Sequence, residues 1–166
     1  MELTIPIQIF DVGKVVVSPP QRGTKLIAPL SYVNGDAHFS LLSISLSSLP
    51  VKSYDSATGQ LQVSLQGSKE VATKLQQLQD MLIQTVITNQ RGWFPTEKGV
   101  AKEDIRGGFQ PFVDHGILHL YYPSNSDIGQ NISIALRIQG LSFHQHHITK
   151  AWTGKFRLQH RILAII

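Results

Sequence analysis

Basic residues are concentrated near the carboxyl-terminal end of the chain, in a segment patterned as a strand. Residues 141–166 contain Lys150, Lys155, Arg157 and Arg161 and no acidic residue. If the apolar residues between them face a core, the last three side chains project from the opposite face, with alternate positions about 7 Å apart. Such a row of cations can bind the phosphates of a nucleic-acid backbone. The alternative interpretation is the solvated face of a mildly basic protein.

Further candidate contacts pair a cation with an aromatic ring. Lys52 lies close to Tyr54, and of the adjacent residues Tyr121 and Tyr122 we expect Tyr121 to face outward, because neighbours in a strand face opposite ways. Exposed rings stack on bases without reading sequence, and a nearby cation holds the backbone. The alternative location for Trp152 is the core, because it lies on the same face of the predicted strand as the apolar residues. The predicted nucleic-acid-binding set is Arg22, Lys25, Lys52, Tyr54, Tyr121, Lys150, Trp152, Lys155, Arg157 and Arg161.

The histidines were weighed as metal ligands and do not form a recognisable set. His144, His146 and His147 cluster, and His115 and His119 are four residues apart, but no cysteine or carboxylate completes either group. The chain also lacks a nucleophile elbow, a Walker loop and a paired-carboxylate motif. We therefore expect no metal, no cofactor and no catalytic residue, and a protein that is not an enzyme.

Composition indicates one folded domain spanning residues 1–166. The chain is 42% hydrophobic and 16% charged, which is typical of a globular protein, and it has no apolar run long enough to span a membrane. The formal charge of +4 favours polyanionic partners only weakly. The absence of cysteine and of a secretory signal favours an intracellular location, which would be the host cytoplasm or nucleus for a viral protein.

One helical segment stands out in a chain otherwise patterned for strands. Five apolar residues recur at helical spacing and predict an amphipathic helix that begins after Ser68 and ends near Thr88-Asn89: Val71, Leu75, Leu78, Leu82 and Val86. A short second helix is expected over residues 101–106, ending at Gly107-Gly108. Trp93-Phe94, Phe109 and Phe112 are expected to be buried as an aromatic clamp at the far end of the long helix.

Alternating apolar residues predict strands on both sides of that helix. The predicted strands are Leu3 to Val17, Lys25 to Val33, His38 to Ser47, Val51 to Tyr54, Gln60 to Gln66, Gly116 to Tyr122, Asn131 to Gln139 and Lys150 to Ile166. Asn34-Gly35-Asp36 predicts a tight hairpin turn, and Pro123-Ser124-Asn125-Ser126 a loop.

Several strands, one long helix and several more strands exclude the parallel folds in which helices alternate with strands. The order predicts a mainly β protein, an OB-like antiparallel β-barrel with the helix inserted between the early and late strands. A β-sandwich or jelly roll with one helical insertion is the competing architecture.

Two segments carry a family resemblance. NQRGWFPTEKGVAKEDIRGGFQPFV (Asn89 to Val113) resembles the pattern in single-stranded DNA-binding proteins of large double-stranded DNA viruses of eukaryotes, in which Trp-Phe, a short acidic helix and an aromatic follow a long helix. GLSFHQHHITKAWTGKFRLQHRI (Gly140 to Ile162) is similar to the closing basic strand of that family. The resemblance implies an OB-type barrel that coats single strands during replication, recombination or repair. This sequence departs from that family in lacking the long acidic tail by which many coat proteins recruit partners, so we do not expect recruitment by that route.

We therefore expect sequence-independent binding of single-stranded DNA, with RNA as an alternative ligand, and with a homo-oligomer and replication proteins as candidate partners. No membrane partner is expected. The alternative function is a structural or assembly protein in which the serine-rich face of one strand, Ser43, Ser45 and Ser47, joins copies of the chain.

Overall fold

Strands make up 49% of the protein, and the described residues also form one long and one short helix. The computed structural model describes residues 2–23, 25–95, 97–124 and 127–166, so Asn125 and Ser126 of the predicted loop lie outside it. The strands are β1 (Glu2–Pro6), β2 (Val15–Val17), β3 (Gln21–Arg22), β4 (Leu26–Asn34), β5 (Ala37–Phe39), β6 (Leu41–Asp55), β7 (Gln60–Ser64), β8 (Phe109–Gln110), β9 (Val113–Asp114), β10 (Ile117–Tyr121), β11 (Asn131–Gln145) and β12 (Trp152–Ile165). The helices are α1 (Lys69–Trp93) and α2 (Lys102–Gly108), which lie between β7 and β8.

Strand β11 organises the sheet. It pairs with β12 along most of its length, and with β6 and then β4 along its other edge. From β6 the sheet continues through β7 and β10 to β9. These pairings are antiparallel, whereas β1 joins β6 and β8 joins β12 in parallel. No backbone ladder links β10 to β12 in the described part of the chain, so the sheet is not closed.

Strands β6 and β11 are longer than the sequence pattern predicts. Leu49-Pro50 was expected to end a strand, but β6 continues through it at a bulge. Ser48 takes a positive φ of 52°, and its N–H donates to Oγ of Ser133 over 3.1 Å. Pro50, which has no N–H to donate, stands opposite Asn131. The bulge therefore lets β6 continue through Leu49-Pro50, which would otherwise end the strand.

The sequence predicts a strand over residues 3–17 with a bulge or turn at Gly13; the turn is confirmed, but the strand is wrong over residues 7–11. β1 ends at Pro6, whose carbonyl accepts the N–H groups of Ile9 and Phe10 and turns the chain. A 3-10 turn at Val12–Lys14 then leads into β2. The hairpin of β4 and β5 is confirmed: Asn34 pairs with Ala37, and Gly35 takes the positive φ of 60° that the two-residue turn requires.

Helix α1 buries the predicted face. Leu75, Leu78, Leu82 and Val86 are fully buried, while Val71 is partly buried against the core. The helix extends beyond the predicted end to Trp93. Its N-cap residue, Ser68, makes no side-chain capping bond.

Gln79 is a polar residue of α1 and is predicted to face water, yet it is buried. Its Oε1 accepts the N–H groups of Phe112 and Val113 at 2.8 and 3.0 Å, and its Nε2 donates to the carbonyl of Val113 over 3.2 Å. One side chain thus satisfies three backbone groups of the segment between β8 and β9, and fixes that segment against the helix.

An aromatic cluster fastens the end of α1 to the sheet, as predicted. Phe94 stacks on Trp152 with ring centroids 5.1 Å apart, and Phe143 stacks on Phe156 at 5.7 Å. Trp93 meets the edge of Phe143 at 6.3 Å. The cluster lies under the ends of β11 and β12 and makes this region of the sheet a rigid platform.

Candidate nucleic-acid interface

Strand β12 has the alternation that the sequence predicts. Phe156 and Leu158 are buried, whereas Lys155, Arg157 and Arg161 are exposed on the other face. The alternation also predicts Gln159 on the face of these cations, but its side chain is half-buried and its Nε2 donates to Oε1 of Gln139 over 3.0 Å. Three cations therefore share one face of the strand.

A recess of about 690 Å³ lies beside this strand, at the end of α2. Four predicted binding residues line it: Lys25, Lys150, Lys155 and Arg157. Three aromatic residues, Phe109, Phe143 and Phe156, also contribute to its wall. Cations from β12, from the β11–β12 loop and from the start of β4 therefore converge on one concave surface, which we call the basic recess.

The basic recess has no acidic side chain among its described lining residues. Salt bridges in the described part of the chain join Glu70 to Lys74 and Asp114 to His115, and none involves a cation of the recess. Because no described carboxylate lies within 4.0 Å of these cations, their charge is available to an external anion.

The loop between β11 and β12 forms one rim of the basic recess and contains the histidine cluster. His144, His146 and His147 line the recess together with Lys150. Sequence reasoning considered these histidines only as metal ligands. Their position in the sequence, between two predicted strands and beside Lys150, is the feature that could have indicated the rim of a binding site. No group of three or more potential ligands able to hold a metal ion occurs among the described residues.

Smaller recesses extend the concave surface away from the loop. Arg157 and Gln110 are shared with a recess of about 350 Å³ that reaches Tyr121 and His160. Tyr121 also lines recesses of about 400 and 290 Å³, the second of which ends at the Ser56–Gly59 turn between β6 and β7. The basic recess and its neighbours thus form one track from the β11–β12 loop to the β6–β7 turn.

Tyr121 and Arg161 lie along this track. The side chain of Tyr121 is 54% exposed, as predicted, and lies over Gly59. Arg161 lines the recess of about 400 Å³ together with Tyr121. The track therefore carries an exposed ring next to Arg161 and beyond the cations of the basic recess, which suits stacking of a base beside a bound phosphate.

His160 lies under the track and is held neutral by its surroundings. Burial is the main cause that lowers its pKa, and the nearby charge of Arg157 acts in the same direction, while the backbone of Leu158 acts in the opposite direction. The Nε2 of His160 accepts the backbone N–H of Tyr121 over 3.0 Å. The ring thus links β12 to β10 in its neutral form.

Three predicted binding residues lie away from the track. Arg22 and Lys52 are exposed but line none of the recesses described above. Tyr54 is half-buried beside Tyr122, and its hydroxyl lies 2.8 and 2.7 Å from the carbonyl oxygens of Tyr122 and Ser124. The expectation of a freely exposed ring at Tyr54 is therefore wrong, because the side chain is committed to the protein.

The prediction that Trp152 is an exposed stacking platform is also wrong. It is only 9% exposed, its ring stacks on Phe94, and its Nε1–H donates to the carbonyl of Lys155 over 3.0 Å. This residue lies in the core, which was the alternative location. Its indole supports the strand that carries the cations.

The serine face considered for subunit contact is largely covered. Ser43 is fully buried and Ser45 is half-buried, which leaves Ser47 exposed. This stretch of β6 therefore offers less polar surface to another copy than the sequence pattern indicates.

Comparison with known proteins gives no relative. No protein-family model matches the chain, and neither a curated protein nor a solved structure is significantly similar to it. The described helices include none that is both long and apolar enough to cross a membrane.

Proposed function

We propose that this protein binds single-stranded DNA independently of sequence, through the track that runs from the basic recess to the β6–β7 turn. The observation that carries the proposal is the convergence of Lys25, Lys150, Lys155 and Arg157 on one recess without an acidic residue among its described lining. Phosphates bind to these cations, and release of their counterions drives association. Tyr121 offers a ring on which a base stacks.

The shape of the track favours an unpaired strand. Its walls include buried aromatic residues and amide side chains such as Gln110, and it winds over several strands instead of presenting one flat face. A single strand can follow such a path, because its backbone bends freely and its bases turn toward the protein. RNA has the same backbone charge and is a second ligand to be compared with DNA.

The strand order supports a partly open barrel of the OB type. Numbered along the chain, β6, β7, β10, β11 and β12 are strands one to five, and their neighbours in space follow the order 1-2-3-5-4. This is the order of the five-stranded OB barrel. Strands β10 and β12 both run parallel to β6, because each is separated from it by two antiparallel pairings.

In the proposed barrel, α1 follows the second of the five strands. The seam between β10 and β12 is bridged by the bond from Tyr121 to His160 in place of a backbone ladder. Partial opening is tolerated in OB folds.

In OB barrels, the loops that join strands one to two and four to five border the oligonucleotide site. In this chain those loops are the Ser56–Gly59 turn and the β11–β12 loop, and the track connects them. Coating of unpaired strands in replication, recombination or repair, without catalysis, is the role that this binding mode supports. Replication proteins and further copies of the chain are the proposed partners, and an intracellular location is part of the same proposal.

The decisive experiment measures oligo(dT) affinity by fluorescence polarisation at several salt concentrations. We expect the triple variant Lys150→Ala, Lys155→Ala, Arg157→Ala to bind more weakly and to reduce the slope of log K against log salt by about 2, because each lost phosphate contact contributes about 0.7. The matched control removes the same charge from three exposed lysines outside the track, Lys69, Lys98 and Lys102.

Equal slopes for the two triple variants would exclude the basic recess as the binding surface. Size-exclusion chromatography of the same samples tests the assembly function. Large assemblies that do not bind oligo(dT) would favour that function instead.

A further inference from the structure

We propose that the β11–β12 loop acts as a wedge, in which Ile148 inserts between bases where a single strand leaves a duplex. The preferred substrate would then be a junction between single-stranded and double-stranded DNA. This inference rests on the proposed function and adds a substrate class to it.

Ile148 is at the tip of the loop and is 74% exposed. Beside it the rings of His146 and His147 stack on each other with centroids 5.0 Å apart. The loop thus presents an aliphatic side chain next to two flat rings at the mouth of the basic recess, to which His146 and His147 contribute.

The loop is held in one conformation by its own hydrogen bonds. Nδ1 of His146 accepts the N–H groups of Ile148 and Thr149, each over 3.3 Å. The N–H of Lys150 donates to the carbonyl of His146 over 2.9 Å, and Nε2 of Gln145 donates to the carbonyl of Lys150 at the same distance. Lys150 itself has a positive φ of 62°. Ile148 is therefore presented on a fixed loop, which lowers the entropy lost on insertion.

An exposed aliphatic residue on such a loop suits insertion between bases. Proteins that unstack DNA place residues such as Ile or Leu between neighbouring base pairs and hold the flanking phosphates with cations. Here Lys150 is two residues from Ile148, and Lys25 and Lys155 line the adjoining recess. Insertion is easiest at a junction, because the terminal pair has a stacking partner on one side only.

The charge around the loop favours a nucleic acid over a protein as the partner of Ile148. Lys150, Lys155 and Arg157 line the same recess, and its described lining has no acid. An apolar residue on the rim of a recess lined by cations matches a ligand whose bases are apolar on their faces and whose backbone is anionic.

The test uses three DNA probes: oligo(dT), a blunt duplex, and a duplex with a dT overhang that carries 2-aminopurine at the junction. Unstacking raises the fluorescence of this base. We expect the wild-type protein to raise it and to bind the junction more tightly than oligo(dT), by about five-fold or more for one unstacked base. Ile148→Ser should lose the fluorescence rise and the junction preference while keeping its affinity for oligo(dT).

The matched control is Ile9→Ser, because Ile9 is 70% exposed and lines none of the recesses of the track. It should behave as wild type on all three probes. Wild-type binding of oligo(dT) without a fluorescence rise, or an Ile148→Ser variant that retains the rise, would overturn the wedge and leave the proposed function intact. Failure of the wild-type protein to bind oligo(dT) would overturn both.

Discussion

The backbone N–H of Tyr121 donates a hydrogen bond to Nε2 of His160 over 3.0 Å, at the seam where β10 and β12 approach without a backbone ladder. Because Nε2 is the acceptor, the hydrogen of the neutral ring is on Nδ1. A second proton would have to occupy Nε2 and would remove the acceptor. The bond across the seam therefore depends on the protonation state of one buried ring.

His160 should make stability depend on pH. Its folded-state pKa is lowered, chiefly by burial, so between that pKa and the unfolded value near 6.5 the unfolded chain binds more protons. The free energy of unfolding is then retained above the unfolded pKa and falls as pH decreases through the window below it, by up to about 1.4 kcal/mol per pH unit. Urea unfolding between about pH 7.5 and pH 5.5 measures this loss.

His160→Gln is the control for this prediction. Its amide has an oxygen that can accept the N–H of Tyr121 but does not titrate in this range. The free energy of unfolding of the wild-type protein, minus that of the variant, should decrease as pH falls. A constant difference across the range would show that another group causes the pH dependence.

The exposed side chains of β12 could be predicted from the sequence, because successive side chains of a strand point to opposite faces. Lys155, Arg157 and Arg161 are exposed for that reason, and the buried face of α1 was predicted on the same principle. The alternation of side chains along a strand could not show that Lys25, which is distant in sequence, lines the same recess as Lys155. That proximity depends on the pairing of β4 with β11, which no local pattern encodes.

The sequence also misplaced residues whose role depends on a tertiary partner. Gln79 is predicted to face water because it is polar, but it lies at the edge of the buried face of α1, four residues after Leu75, and there it binds the backbone of Phe112 and Val113. Tyr54 and Trp152 were considered as free rings, and each is committed to a carbonyl or a neighbouring ring. A polar or amphipathic residue type permits either location, and only the fold decides between them.

Gly108 should be indispensable to the junction between α2 and β12. A Cβ at this position would clash with the carbonyl oxygen of Gly154, whereas a Cβ at Gly107 would meet no atom within 4 Å. Gly108→Ala must push backbone apart and should lower the free energy of unfolding by about 1–3 kcal/mol. Gly107→Ala should leave it unchanged or raise it by up to about 1 kcal/mol. Urea denaturation compares the two, and equal effects would refute the close approach.

Gln79 should contribute strongly to stability for a polar residue on a helix. Gln79→Ala removes the acceptor of two backbone N–H groups and the donor to one carbonyl in a buried segment, and each unsatisfied group costs about 1–3 kcal/mol. Relaxation of the structure around the site, and water that enters it, will offset part of that cost. We therefore expect a loss of about 2–4 kcal/mol in the free energy of unfolding. Gln77→Ala, at an exposed position of the same helix, should change it by less than about 0.5 kcal/mol. Similar losses for both variants would contradict the role of Gln79.

Tyr121 should contribute to binding through its ring and little to folding. Its side chain is 54% exposed on the proposed track, so truncation removes little buried surface. Tyr121→Ala should weaken oligo(dT) binding by roughly 5- to 100-fold, which corresponds to the loss of one stacked base. Tyr121→Phe keeps the ring and should bind as wild type.

Tyr54 provides the contrast for this prediction. Its hydroxyl is bonded to backbone carbonyls beside Tyr122, so Tyr54→Phe should lower stability, by about 1 kcal/mol, with little effect on oligo(dT) affinity. Polarisation titrations and urea unfolding of the three variants separate the two roles. If Tyr121→Ala bound oligo(dT) as tightly as wild type, the nucleic acid would not pass over β10, and the track would end at the basic recess.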